Sequence, residues 1–145
     1  MSRTSRILFL ITLVTFLGFF VIEALLWTMP WVQNLLLPQL NPGLAYPAAV
    51  QGQILRSLFV NQGVYNLLLA LGGCAALMAE RRGDLRLATM AVGYFSLVAI
   101  GAAVTLLMST HAYGLAVLQA LFPMMALVSL RRDQQRPGHR RGSQG

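Results

Sequence analysis

The chain has 145 residues, of which 57% are hydrophobic and 10% are charged, whereas about a quarter of the residues are charged in an ordinary soluble domain. A water-soluble single domain is excluded, because so few polar side chains cannot cover the surface of a chain of this length. The formal net charge is +7, but nearly all of the basic residues lie at the chain ends and in one short loop, as membrane topology determinants do, so nucleic acid is not an expected partner.

The first apolar run extends from Ile7 to Trp27. As a helix its length of about 31 Å would match the hydrocarbon thickness of a bilayer. Arg3 and Arg6 precede the run, as in a cleaved signal peptide, but no small-x-small cleavage site follows it. We therefore predict a first transmembrane helix over 7–27.

A loop over 28–56 follows, and its four prolines exclude one long helix. Trp31 and the leucines after it predict a short segment at the membrane interface, because tryptophan prefers the depth of the lipid headgroups. Pro47 suits the first residue of a helix that continues into the second span. We expect this loop to cover one mouth of the helix bundle.

Three further spans are predicted over 57–79, 87–109 and 111–130, and the short links between them require antiparallel neighbours. The predicted fold is all-α, an integral membrane four-helix bundle formed by residues 1–130. The remaining residues, 131–145, are rich in Arg, Gln, Gly and Pro and predict a basic, disordered tail.

Arginine counts predict the orientation of the bundle. All eleven basic residues are arginine, and ten of them precede the first span, separate the second from the third, or follow the fourth. Because positively charged segments stay inside the cell, the N and C termini are predicted to be cytoplasmic. The absence of lysine points to a GC-rich bacterial genome, so we expect a multi-pass protein of a bacterial inner (plasma) membrane, with the lipid bilayer as its partner.

Glu23 is an acid within the first predicted span. A charged residue at mid-membrane costs about 2.5 to 3.5 kcal/mol even on the most forgiving scale, so its presence needs a reason. Two interpretations remain open. Glu23 is either an interfacial carboxylate paired with Arg56, or a buried acid that donates or accepts a proton.

The second span begins with the polar run Asn61-Gln62-Gly63-Val64-Tyr65-Asn66. At about 100° per residue its four polar side chains lie within an arc of about 140°. This face either forms hydrogen bonds with a neighbouring helix or lines a polar pocket. Because the chain reverses between spans, Glu23 is expected at the same depth. The candidate catalytic residues are Glu23 and Tyr65, and the candidate ligand-binding residues are Trp27, Arg56, Asn61, Gln62, Asn66, His111 and Gln119, with Thr105, Ser109 and Tyr113 at the rim.

Metal and cofactor signatures are missing. The expected pocket contains only Glu23 and His111 as metal-ligating residue types, and a metal site needs three or four. The sequence also contains no nucleophile elbow, phosphate-binding loop or dinucleotide fingerprint. No metal and no cofactor are therefore predicted.

The motifs Glu-x-x-x-Trp at Glu23 and Asn-Gln-Gly-x-Tyr-Asn at Asn61 resemble those of a family of small bacterial membrane proteins known as domain of unknown function 1304. The resemblance covers roughly residues 7 to 130 and includes a basic residue at Arg56. The family often has a Glu-His pair two turns before the glutamate, where this chain has Thr15 and Phe16. The resemblance implies the four-helix fold and the pocket residues, but no substrate.

Three functions remain open. The first is binding or conversion of a small apolar molecule, with Glu23 as acid or base and Tyr65 as its hydrogen-bonding partner. The second is proton-coupled transport, because a glutamate in the first of four helices resembles the small multidrug antiporters, which act as dimers. A homo-oligomer is expected in that case. The third is a structural subunit whose polar face binds another protein.

Overall fold

The computed structural model describes residues 1–135, and its elements are all helices. Four of them are long and apolar enough to cross a membrane, which confirms the all-helical class and gives four candidate membrane-spanning helices. A fifth and a sixth helix lie within the predicted loop. The helices are α1 (Arg3–Phe20), which continues as one π-helical turn (Val21–Leu25), α2 (Pro30–Leu40), α3 (Ala48–Ile54), α4 (Arg56–Arg81), α5 (Leu85–Ser109) and α6 (Tyr113–Gln135).

The ends of the helices differ from the predicted span boundaries at several places. Helix α1 begins at Arg3, four residues before the predicted span, because the Ser2 side chain accepts a hydrogen bond from the Ser5 backbone N–H and caps the helix. Helix α6 continues to Gln135, so the first five residues of the predicted disordered tail are helical. The rest of that tail, 136–145, lies outside the described residues.

The four long helices surround a common core. Helices α1 and α5 each pack against both α4 and α6, so α1 and α5 lie diagonally across the bundle. A tight link joins α4 to α5, in which Gly83 has a positive φ of 87° and the Asp84 side chain accepts a hydrogen bond from the Leu87 backbone N–H. Antiparallel packing of neighbouring helices follows from these short links.

Large side chains of α1 pack against small side chains of the other helices. Phe9, Leu13 and Phe16 fill the core, and a Cβ atom added at Gly73 of α4 would overlap the Leu13 side chain. Small residues of this kind allow membrane helices to approach closely. The small side chains that face α1 and complete the core are Ala70, Ala76, Ala99 and Ala126.

Polar contacts join three helices at the end of the bundle where α1 begins, which we call the arginine-rich end. The Nε and Nη2 atoms of Arg6 donate to the two carboxylate oxygens of Glu80, at 3.0 Å each. The Ser5 hydroxyl donates to Oδ2 of Asp133 at 2.8 Å. Helix α1 is thereby tied to α4 and to α6. Arg6, predicted as a topology determinant, also forms a bidentate ion pair with Glu80.

Helices α2 and α3 cover the other end of the bundle and are called the lid here. Pro47 caps the N-terminus of α3 instead of being its first residue. Helix α3 does not continue directly into α4, because Leu55 lies between them as the C-cap of one and the N-cap of the other. A cover at this mouth was expected from the prolines, and the two short helices supply it.

Trp27 holds the lid against the bundle. Its side chain is 1% exposed, its indole Nε1 donates to the Gly52 carbonyl of α3 at 2.8 Å, and its ring stacks on Phe59 of α4 with 3.6 Å between the ring centroids. Gln33 of α2 donates through Nε2 to the Trp27 carbonyl at 2.9 Å. A single side chain therefore contacts both the lid and α4.

Candidate functional site

Glu23 lies at the centre of the π-helical turn that ends the first span. The backbone N–H of Leu26 donates to the carbonyl of Val21, five residues earlier, at 2.9 Å. A π turn widens the helix by one residue and occurs often at functional sites, because it is retained in spite of weaker backbone packing. The sequence holds no local signal for this turn.

Gly63 allows α4 to approach the π turn. A Cβ atom at this position would lie 2.8 Å from the backbone nitrogen of Ala24 and 3.2 Å from Cβ of Glu23. One turn further along α4, Nδ2 of Asn66 donates to Oε2 of Glu23 at 2.7 Å, and Asn66 is 4% exposed. The close approach explains why the glycine sits between the polar residues of the motif.

A cavity of about 590 Å³ lies between the lid and the nearby ends of the four long helices. Ten apolar residues form most of its wall, including Phe19 of α1, Leu36 of α2 and Phe59 of α4. Pockets for small molecules commonly have this mixture of an apolar wall and a few polar groups. The polar residues that line the cavity are Glu23, Asn41, Gln62, Asn66, Thr105, Ser109, Thr110 and Gln119.

Among residues 1–135, Glu23 supplies the single acidic group of the cavity wall, and none of the residues that line it is basic. Arg56 is exposed, and within residues 1–135 no basic group lies within 4.0 Å of the Glu23 carboxyl group. The ion pair with Arg56 that one sequence interpretation required is therefore wrong in this geometry. Helix α4 begins at Arg56, and the side chain of this residue is exposed.

The predicted polar face of α4 divides into two edges. Gln62 and Asn66 line the cavity, whereas Asn61 and Tyr65 are exposed on the outside of the bundle, with Tyr65 54% exposed. An arc of about 140° is wider than the part of a helix that one neighbouring cavity covers. The structure therefore brings Glu23 together with Gln62, Asn66 and, from α6, Gln119, but not with Tyr65.

The two remaining predicted aromatic site residues also lie outside the cavity wall. Trp27 is the lid anchor described above. The His111 side chain is exposed, while its backbone N–H donates to the Gln39 carbonyl at 2.9 Å and joins the α5–α6 turn to the lid. Tyr113, expected at the rim, is likewise exposed. Thr105 and Ser109 do line the cavity, although their hydroxyls donate to carbonyls of their own helix.

Comparison with known families gives one match. The family described as "Protein of unknown function (DUF1304)" matches residues 10–131. The chain belongs to this family. No curated protein and no solved structure matches the chain. The match confirms the resemblance expected from the two motifs, and those motifs are the ones that meet at the Glu23–Asn66 hydrogen bond.

At the two positions where the sequence resemblance implied a Glu-His pair, this DUF1304 protein has residues that do not line the cavity. Thr15 donates its hydroxyl to the carbonyl of Ile11 at 3.0 Å, and Phe16 is 1% exposed in the core. In this member the acid of the cavity is Glu23 alone. No group of three or more metal-ligating side chains occurs in the described part of the chain.

Several cavity residues of this DUF1304 protein were missed by sequence reasoning. Leu36, Leu40 and Asn41 come from the lid, and their direction depends on how the lid folds back over the bundle. Phe59 lies one turn before Gly63 on the polar face of α4. The helical spacing from Asn66 was the signal that could have found Phe59.

Proposed function

We propose that this protein binds a small, largely apolar molecule within the membrane, in the cavity beneath the lid. The observation that carries the proposal is the pairing of an apolar cavity of about 590 Å³ with a hydrogen-bonded acid in its wall. Ligand pockets typically occupy about 300 to 1,000 Å³ and use a few polar groups to orient the bound molecule. Glu23, Gln62, Asn66 and Gln119 are the groups we assign to that role.

Binding fits this cavity better than chemical conversion. General acid–base catalysis of an isomerisation or dehydration commonly uses two proton-transferring groups placed around the reacting atoms. Among the described residues that line the cavity, Glu23 is the single titratable side chain. Tyr65, the expected second group, faces the outside of the bundle. A recognition site is the simpler use of one acid flanked by neutral amides.

The orientation of the bundle gives the cavity its place in the membrane. Ten of the eleven arginines belong to the arginine-rich end or to the tail that follows it. We propose that this end faces the cytoplasm of a bacterium and that the lid faces outwards. The cavity then lies in the outer half of the bilayer, where a molecule dissolved in the membrane can reach it.

The test is to identify small molecules that purify with the protein in mild detergent, by extraction and mass spectrometry. Ala102 lines the cavity, so Ala102→Trp places a large side chain inside it. Ala75 is exposed on α4, and Ala75→Trp is the matched control. We expect a bound molecule in the wild type and in the control, and little of it in Ala102→Trp.

Two results would contradict this proposal. Equal amounts of the molecule in both tryptophan variants would place it outside the cavity. A stoichiometric protein partner, together with no small molecule in the wild type, would favour a structural subunit instead.

A further inference from the structure

The electrostatic asymmetry of the cavity identifies the class of molecule that fits it. Within the described part of the chain, its wall contains one carboxyl group, no basic group and seven neutral polar side chains. Asn66 donates to Oε2 of Glu23, whereas Oε1 accepts no hydrogen bond from any residue in 1–135. One oxygen of the carboxyl group is therefore open to a partner from within the cavity.

A carboxylate surrounded by apolar groups is costly unless a positive charge lies beside it. The protein follows this rule elsewhere, since Glu80 accepts two hydrogen bonds from Arg6. Glu23 has one hydrogen bond from a neutral amide, and no cation of residues 1–135 lies within 4.0 Å of it. A positive group in the cavity would supply the charge partner that this carboxylate lacks.

Two aromatic residues line the same cavity as this carboxyl group. Phe19 precedes Glu23 by four residues, which is about one helical turn, and Phe59 lines the same cavity from α4. The faces of aromatic rings attract cations, and quaternary ammonium groups are commonly held by aromatic side chains together with an acid. Eight further apolar residues of the wall would contact the rest of the molecule.

We propose that the cavity binds a lipophilic cation, which is an apolar molecule carrying one amine or quaternary ammonium group. The inference rests on the proposed function, because it names the ligand class of the same cavity. The ammonium group occupies the space beside Oε1 of Glu23 and the apolar body lies against the lid. The amides of Gln62 and Gln119 supply neutral contacts that orient the body without competing for its charge.

The experiment compares two probes of the same shape. One is trimethyl(4-phenylbutyl)ammonium, and the other is 5,5-dimethyl-1-phenylhexane, in which a neutral carbon replaces the nitrogen. Both are radiolabelled and measured by scintillation proximity with the full chain in phosphatidylcholine nanodiscs, whose zwitterionic lipid does not concentrate cations. Specific binding is defined as the part of the scintillation signal that the Ala102→Trp variant loses.

Glu23→Gln is the decisive variant, because the amide oxygen still accepts the hydrogen bond from Asn66 while the negative charge is lost. We expect it to weaken binding of the cation at least about tenfold and to change binding of the neutral probe less than about twofold. Asp84→Asn, at the arginine-rich end, removes one negative charge and keeps the helix cap, so it should leave both affinities unchanged. Melting curves of each variant verify that it is folded.

Specific binding of the neutral probe, with cation binding that is absent or equal in wild type and Glu23→Gln, would overturn the inference and leave the proposed function standing. If neither probe shows binding that Ala102→Trp removes, that result would count against the proposed function itself.

Discussion

Gly63 is the place where α4 comes closest to the π turn, and the variant Gly63→Ala tests how tightly that contact is packed. The added Cβ atom would lie 2.8 Å from the backbone nitrogen of Ala24 and 2.9 Å from Cβ of Ala24. Carbon atoms in contact are normally about 3.5 to 4.0 Å apart. Since a backbone atom cannot rotate away as a side chain can, α4 or the π turn must shift by about half an ångström or more.

The expected cost follows from this overlap. Overpacking of a tight contact costs about 1 to 3 kcal/mol, and the Glu23–Asn66 hydrogen bond, 2.7 Å long, would be stretched, which removes about 1 kcal/mol more. The higher helix propensity of alanine returns up to about 1 kcal/mol. We expect a net loss of about 2 kcal/mol in the free energy of unfolding, or a melting temperature lower by about 4 to 8 °C for a chain of this size.

The assay is thermal unfolding in detergent, followed by intrinsic tryptophan fluorescence, to which buried Trp27 contributes. Gly18→Ala is the matched control, since a Cβ atom there meets nothing within 4 Å. It gains the same helix propensity without an overlap, so its melting temperature should stay the same or rise. If Gly63→Ala melts as high as Gly18→Ala, the close approach of α4 to the π turn is wrong.

Two further predictions concern the orientation and the lid. A fluorescent reporter that matures only in the cytoplasm should be active when inserted near Gly83 and inactive near Asn41, whereas activity near Asn41 would reverse the proposed orientation. Trp27→Phe removes the 2.8 Å hydrogen bond to the Gly52 carbonyl and leaves a buried acceptor unpaired, at a cost of about 1 to 3 kcal/mol. We expect faster amide hydrogen exchange in α3 but not in α5, and unchanged exchange in α3 would show that the indole N–H does not secure the lid.

The sequence was sufficient for the parts of the molecule that depend on the length and direction of helices. Apolar runs predicted the four long helices, because a bilayer requires about twenty residues per crossing. Reversal of the chain between spans gave the proximity of Glu23 to Asn66, which the hydrogen bond of 2.7 Å bears out. Neither inference required knowledge of which helix is the neighbour of which.

The division of the polar face on α4 was not predictable in the same way. Gln62 and Tyr65 lie within one arc on the helix, yet Gln62 lines the cavity and Tyr65 does not. Which edge turns inwards depends on where α1 and α5 pack, and helical periodicity alone carries no information on this. The lid residues were missed for a related reason, since the prolines predict a break in the chain but not its path.

The π turn also sets the direction of the side chains that follow the first span, relative to those within it. A π turn is equivalent to a single-residue insertion in an α-helix, which offsets every residue after it by about 100° relative to the residues before it. Phe9, Leu13 and Phe16 face the core before the π turn, and Trp27, two residues after it, reaches the lid. The chain thus serves two environments with different angular demands. Without the π turn, the same residues wound as a uniform α-helix would direct Trp27 about 100° away from its acceptor.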